Sequence, residues 1–420
     1  MFLKSESWVQ SVALYSCAVA RMMLSARGTS TVARPLRSVT TSGRQSKVSG
    51  KWLRTRAGMS SAVLNPDRSS DAGRTGGKLL ILHPQIFTGS APLTQFVNFK
   101  TSQGFTVTTH EVTVGTVVET LRAYLQSLYG TPNEPDYILI MADANGYDWT
   151  TIVDAIPAPY SLGTNYYCRT DTPYACLDGP GDWLPDIPIG RMPARTVADL
   201  QTEVDKTIYV ETGSFSDPTY TQRAAMIAGP EPEANAEAVQ NYVIDTYLTP
   251  AGIQANKLYY LSYGARTEQL TTAFNNGAFL GTYFGHAAGF QAWGAPSFTF
   301  PDIENLSNAN KYPFLLSFSC SATAFFYTEP TKSPGFVEKW FLVPNKGAVG
   351  GWGHSWSLDP YTFAQWGDLY KAYMRSVCAD GLREVGAAGQ SAAGYFVSQY
   401  GPAAPVSKDF TQEFLMQGDP

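Results

Sequence analysis

Residues 78–141 read KLLILHPQIFTGSAPLTQFVNFKTSQGFTVTTHEVTVGTVVETLRAYLQSLYGTPNEPDYILIM, and their pattern decides the fold class. Leu79–His83 is a short apolar run with strand character, and Pro92–Ser102 has a helical period. Phe105–Val112 is β-branched and alternating. Val117–Leu128 is amphipathic with a period of 3.6, and Asp136–Met141 is again a buried-strand run. A strand–helix–strand–helix–strand order of this kind implies a mostly parallel sheet covered by helices.

Working outward, Ala144–Leu184 is rich in Gly, Pro, Tyr and Asp and is too long for a plain connector, so it reads as a functional excursion. Strand Ile187–Met192 and helix Thr196–Glu211 follow. After the linker Gly213–Tyr220 the alternation restarts: strand Ala224–Ala228, helix Glu233–Tyr247, strand Lys257–Ser262, helix Thr267–Asn275 and strand Ala278–Gly285. Then come strand Pro313–Cys320, helix Phe336–Leu342, strand Ala348–His354 and helices to the end. The restart divides the body into an N-terminal α/β half over 78–215 and a C-terminal α/β half over 222–420, side by side. Residues 1–77 form a separate leader.

Composition narrows the function. Residues 1–78 hold 13 Lys and Arg against three acids, so the remainder of this chain of net charge −5 is strongly acidic. An acidic body argues against nucleic acid, whose phosphates need clustered positive charge. The Arg/Ser-rich leader has targeting character, either secretory or as an organelle presequence. Its apolar stretch Val9–Ala20 is too short and polar to span a bilayer. Gly277–Phe300 and Tyr312–Thr328 carry no charge, but Gly, Pro, His and Ser interrupt them at strand length. No transmembrane segment is expected. Five scattered cysteines exclude a disulfide scaffold.

In open α/β sheets the ligand site lies beyond the carboxyl ends of the strands. Strand 278–285 runs into His286, and strand 313–320 ends at Cys320 and Ser321. If these strands are neighbours, His286 and Cys320 face one another across the sheet top. A cysteine nucleophile needs that geometry: a thiolate to attack a carbonyl and an imidazole to manage the proton. Backbone N–H groups of Cys320 and Ala287 are placed to hold an oxyanion. A third group normally orients the imidazole, and Asp186, just before a strand of the first half, is the candidate. Each residue has a blander reading: a lone cysteine at a strand end is most often a packed thiol, and Asp186 alone is an ordinary turn carboxylate.

Several segments resemble the gingipain family of cysteine peptidases. They are Tyr283-Phe284-Gly285-His286-Ala287-Ala288 with Trp293, and Lys311-Tyr312-Pro313-Phe314 leading to Ser319-Cys320. Pro185-Asp186-Ile187-Pro188-Ile189-Gly190-Arg191 with Lys206-Thr207-Ile208-Tyr209, Gly104–His110, Asp136–Ile140 and Gly418-Asp419-Pro420 are also similar. The resemblance spans about residues 78–420. It implies a caspase-like α/β fold of two subdomains and cysteine endopeptidase activity on proteins or peptides. Cys320 and His286 would be the catalytic pair, with Asp186 in place of the family's acidic residue. The family's Gly after the catalytic His is Ala287 here. That departure motivates one alternative, a scaffold that binds peptides without cleaving them; a second alternative keeps the cysteine chemistry but passes the acyl group to an amine, as a peptide ligase of the same fold.

Other features are weighed against this reading. Trp293 and His354 are candidates for a substrate groove, as are Tyr166, Tyr167 and Trp183. His83, His110 and His354 show no zinc spacing, and no G-x-S-x-G elbow is present. No cofactor is required for the chemistry, no metal site is assigned, and Asp178–Asp182 offers oxygen ligands for a structural calcium. Cys168 and Cys176 suit a loop-closing disulfide or two free thiols equally. The protein is expected to act as a monomer.

Overall fold

A computed structural model describes residues 76–144, 154–164, 168–179, 181–231, 235–288, 291–325, 334–356 and 361–420. Residues 1–75 of the leader, Tyr166 and Tyr167 therefore lie outside the described residues, and Gly77 already belongs to the first strand. The strands are β1 (Gly77–Pro84), β2 (Phe105–Val112), β3 (Tyr137–Met141), β4 (Ile189–Met192), β5 (Arg223–Ala228), β6 (Gln254–Tyr259), β7 (Leu280–Phe284), β8 (Phe314–Phe318), β9 (Gly350–His354) and β10 (Phe414–Gln417). The helices used below are α1 (Ala91–Ser102), α2 (Val118–Leu128), α3 (Val197–Thr212), α4 (Ala236–Val243), α5 (Tyr260–Tyr263), α6 (Thr267–Asn276), α7 (Phe300–Glu304), α8 (Phe336–Leu342), α9 (Phe363–Cys378), α10 (Val385–Tyr400) and α11 (Pro405–Glu413).

All ten strands form one sheet in the order β2-β1-β3-β4-β10-β9-β8-β7-β5-β6. β1 to β4 pair in parallel, and so do β5 to β9. The join is β10, parallel to β4 at Gln417↔Arg191 and antiparallel to β9 from Phe414↔His354 to Gln417↔Gly351. The two halves thus run in opposite directions within one sheet. The carboxyl ends of β7, β8 and β9 emerge at the same edge as the amino end of β4.

The central strands are apolar on both faces, as buried parallel strands require. In β8 the side chains of Phe314, Leu316 and Phe318 pack with Trp366, Tyr370 and Phe410 of α9 and α11. Leu315 points the other way, into a cluster with Trp293, Phe298 and Trp340.

Two segments depart from the sequence reading. The segment Lys257–Ser262 reads as strand, but β6 starts at Gln254 and ends at Tyr259, and Tyr260–Tyr263 turns into helix α5 with Leu261 and Tyr263 exposed. Pairing with β5 sets that register. The C-terminal residues Phe414–Gln417 read as helix, yet they form β10 at the centre of the sheet. A run of four residues, three of them apolar, carries no period that separates helix from strand, and only the gap between β4 and β9 decides it.

Candidate active site

The β7–β8 ladder ends at the paired level Phe284↔Phe318, extended by the Gly285 N–H donating to the Phe318 carbonyl at 3.2 Å. His286 and Cys320 each stand two residues beyond that level on neighbouring strands. Parallel strands lie about 4.8 Å apart, so the two residues leave the sheet side by side. His286 is exposed and Cys320 half-buried, in no disulfide. The imidazole rests edge-on against Phe363, centroids 5.0 Å apart.

Below the site a buried polar column fixes both strand ends. The Tyr283 hydroxyl donates to the His286 carbonyl at 2.7 Å, and the Gly294 N–H donates to the same oxygen at 2.9 Å. A side chain at Gly294 would meet that oxygen at 2.6 Å, so only glycine allows the approach. Tyr283 stacks on Trp293 at 4.9 Å, the Trp293 Nε1–H donates to Ser317 Oγ at 2.9 Å, and Ser317 bonds Ser319 at 3.0 Å. Burial pushes the Tyr283 phenol up, and the nearby Glu231 and Cys320 add to the shift. The phenol therefore stays protonated and remains a donor.

Ala287 sits in an antiparallel bridge with Trp293. The hydrogen bonds of that bridge run between Gly294 N–H and His286 O, and between Ala288 N–H and Ala292 O. This is the non-hydrogen-bonded kind of pair, which leaves the Ala287 N–H unused by the bridge. Ala287 is not among the residues with positive φ, so alanine in place of glycine imposes no strain there. Beyond Cys320 the chain turns sharply: Ser321 has φ +52°, and its N–H donates to the Trp356 carbonyl at 2.9 Å.

The acid that the fold brings to this place is Glu231, three residues past the end of β5 and beside β7. A Cβ on Gly285 would lie 2.9 Å from its Oε2, and one on Gly229 would come closer still. Glu231 Oε2 is buried and has no hydrogen-bond partner among the described residues. The sequence reading missed it. The available signal was a carboxylate just after a strand that pairs with β7, legible only once the strand order is known.

Asp186 is held elsewhere. Its Oδ1 accepts from the Tyr129 hydroxyl at 3.1 Å, and its Oδ2 accepts from the Leu177 N–H at 2.9 Å. It precedes β4, and β10, β9 and β8 separate β4 from β7. Four strand spacings amount to about 19 Å, so the structure does not bring Asp186 to His286. Burial, partly offset by the Leu177 N–H, raises its carboxyl to about 7 from the ordinary 3.8. The stability lent by a carboxyl raised in the folded state is complete below its unfolded pKa and is lost as pH rises through the folded one. The wild-type melting temperature is accordingly expected to fall between pH 5 and pH 8 by more than that of Asp186→Asn. Equal pH slopes in thermal melts of the two proteins would refute a titrating Asp186.

Two further expectations need correction. Trp293 and His354 have no exposed surface and lie beneath the site rather than along a groove. Trp293 is occupied by Tyr283 and Ser317, and both His354 ring nitrogens face interior partners. Trp183 is half-buried, its carbonyl taken by Gln412. No disulfide joins Cys168 and Cys176; the first lies on Ser355 Oγ and the second donates to the Thr172 carbonyl. The Asp182 carboxylate accepts from the Asp178 and Leu184 N–H groups within its own loop. Among the described residues no cluster of three or more His, Cys, Asp or Glu side chains is arranged to hold a metal.

The sequence profile of peptidase family C25 matches residues 73–420. Gingipain R2 of Porphyromonas gingivalis is 23% identical over 266 residues, 61% of this chain and 34% of the relative. A Lys-gingipain of the same organism is 25% identical over 283 residues, 64% of this chain and 15% of the relative. The chain thus spans about a third of the length of the first of these relatives and 15% of the second. Among solved structures, the Arg-specific cysteine proteinase gingipain R superposes with a TM-score of 0.67 at 20% identity, covering 82% of this chain and 77% of that one. The fold is therefore the gingipain-type, caspase-like α/β fold.

Proposed function

This chain belongs to peptidase family C25, and from that membership we propose that it is a cysteine endopeptidase acting on protein or peptide substrates. The observation that carries the reading is the ladder end at Phe284↔Phe318, which sets His286 and Cys320 two residues further on at one level of adjacent strands. In this reading the Cys320 Sγ gives its proton to His286 and attacks the scissile carbonyl carbon. The oxyanion is held by the N–H groups of Cys320 and Ala287. The His286 imidazolium then protonates the departing amine, and water hydrolyses the thioester with His286 again taking a proton. The supporting acid is Glu231 rather than Asp186. Its carboxylate abuts Gly285, the residue before His286, and a negative charge there stabilises the imidazolium formed in each half-reaction. We also propose that residues 1–77 are a targeting leader. No helix among the described residues is long and apolar enough to cross a membrane.

The non-catalytic alternative draws in part on Ala287, and since φ is not positive there the alanine lends it no support. The role of Glu231 is tested by Glu231→Gln, which keeps the shape and removes the charge. The expected result is a fall in kcat of about 10- to 100-fold, with KM within about twofold. Steady-state kinetics on a cleaved fluorogenic peptide decides it, and an unchanged kcat would exclude the assignment.

A further inference from the structure

The interior face of the Cys320 turn rests on a buried histidine–glutamate pair. His354 ends β9 and Glu413 ends α11, and neither has exposed side-chain surface. His354 Nε2 lies 3.0 Å from Glu413 Oε2, and Nδ1 lies 2.7 Å from the Trp356 carbonyl. The rings of Trp366 and Phe414 stand 4.7 and 5.0 Å from the imidazole. A carbonyl only accepts, so the nitrogen facing Trp356 carries a hydrogen. The nitrogen facing Glu413 then either donates to the carboxylate or accepts from its protonated form. One proton lies between the two groups in both cases, and the Nδ1–H points at the Trp356 carbonyl.

That carbonyl also accepts the Ser321 N–H at 2.9 Å, directly after Cys320, where φ is +52°. A non-glycine residue in the left-handed region persists only when its surroundings hold it. The His354 carbonyl takes the Thr323 N–H at 3.1 Å, and the Glu413 carbonyl takes the Ser355 N–H at 2.9 Å. The turn presenting the thiol is thereby tied to β9 and, through Glu413, to the start of β10.

We propose that His354, oriented by Glu413, is a positioning residue for Cys320, acting through the Trp356 carbonyl and the Ser321 N–H; this rests on the reading of Cys320 as nucleophile. The pair contributes no group to the reacting atoms. It sets where Sγ and the Cys320 N–H stand relative to His286, and misplacement on the scale of 1 Å costs up to about 100-fold in rate.

The test is the double variant His354→Phe/Glu413→Leu beside Glu413→Gln. Replacing both partners by apolar side chains leaves no buried charge unpaired, so the fold is expected to persist. The double variant should lose about 10- to 100-fold in kcat with KM within about twofold. Alkylation of Cys320 by iodoacetamide, followed by mass spectrometry, should slow by at least about fivefold. Glu413→Gln can donate from its amide to Nε2 and leave Nδ1–H on Trp356, so it should stay within about threefold of wild type in both readouts. A folded double variant with wild-type kcat and alkylation would overturn the proposal, as would Glu413→Gln falling as far as the double variant. If the double variant does not fold, Glu413→Leu alone carries the test: a loss of about fivefold or more in alkylation rate supports positioning, and no change overturns it. If the wild type cleaves no peptide, the alkylation arm still decides. Slowed alkylation then upholds positioning while the peptidase reading fails, and unchanged alkylation removes both.

Discussion

Cys320→Ala is expected to lower hydrolysis of a mixed fluorogenic peptide library by at least about 10⁴-fold, to the level of the buffer blank. The side chain removed is one sulfur and its hydrogen at a half-buried position, so melting should shift by no more than about 2 °C. Such a loss follows from covalent catalysis: without Sγ there is no acyl-enzyme, and the backbone donors and His286 act on a bond that nothing attacks. Cleavage by the wild type alone establishes the cysteine mechanism and reads out the preferred residue at the same time. Undiminished cleavage by the variant, with contaminating peptidase excluded, would end the assignment.

Arg191→Met is expected to cost about 3–5 kcal/mol of stability, because it strands a buried carboxylate. The Arg191 side chain is fully buried in β4. Its Nε and Nη2 donate to the two oxygens of Asp171 at 2.8 and 2.7 Å, and its Nη1 donates to the carbonyls of Ala142, Asp143 and Ile156 between 2.8 and 3.2 Å. One guanidinium thus anchors the described part of the long excursion after β3 to the sheet. Lysine would not substitute, since the fork is what reaches Asp171 bidentately while also serving the carbonyls. Arg191→Met/Asp171→Leu should recover a good part of the loss, because it leaves no uncompensated charge. Urea denaturation of the single and double variants checks both statements, and a single variant within about 0.5 kcal/mol of wild type would contradict them.

How much of this was legible follows from the range of each signal. Strands β1 to β5 and helices α1 to α3 are local: their periods and turn residues lie within a dozen positions, and the structure keeps them to within a few residues. The ends of β7 and β8 were legible because each is a short uncharged run closed by a polar residue, which brought out His286 and Cys320. Glu231 was hidden. It gains significance from the pairing of β5 with β7, a relation across more than 50 residues. Asp186 looked suitable because it precedes a strand, but the sheet order puts three strands between its own strand and β7. His354 and Trp293 were read as groove residues because aromatics near a site face either way, and burial alone separates the two.

The chain's own chemistry determined the fold class and singled out His286 and Cys320 as the candidate pair, since both rest on residue type and period. Tertiary structure decided the rest. It placed β10 between β4 and β9, reversed one half of the sheet against the other, and set the Glu231 carboxylate rather than that of Asp186 beside Gly285, the residue before His286. Those outcomes are set by pairing between distant segments, where backbone hydrogen bonds and close packing select one partner among several that are locally equivalent.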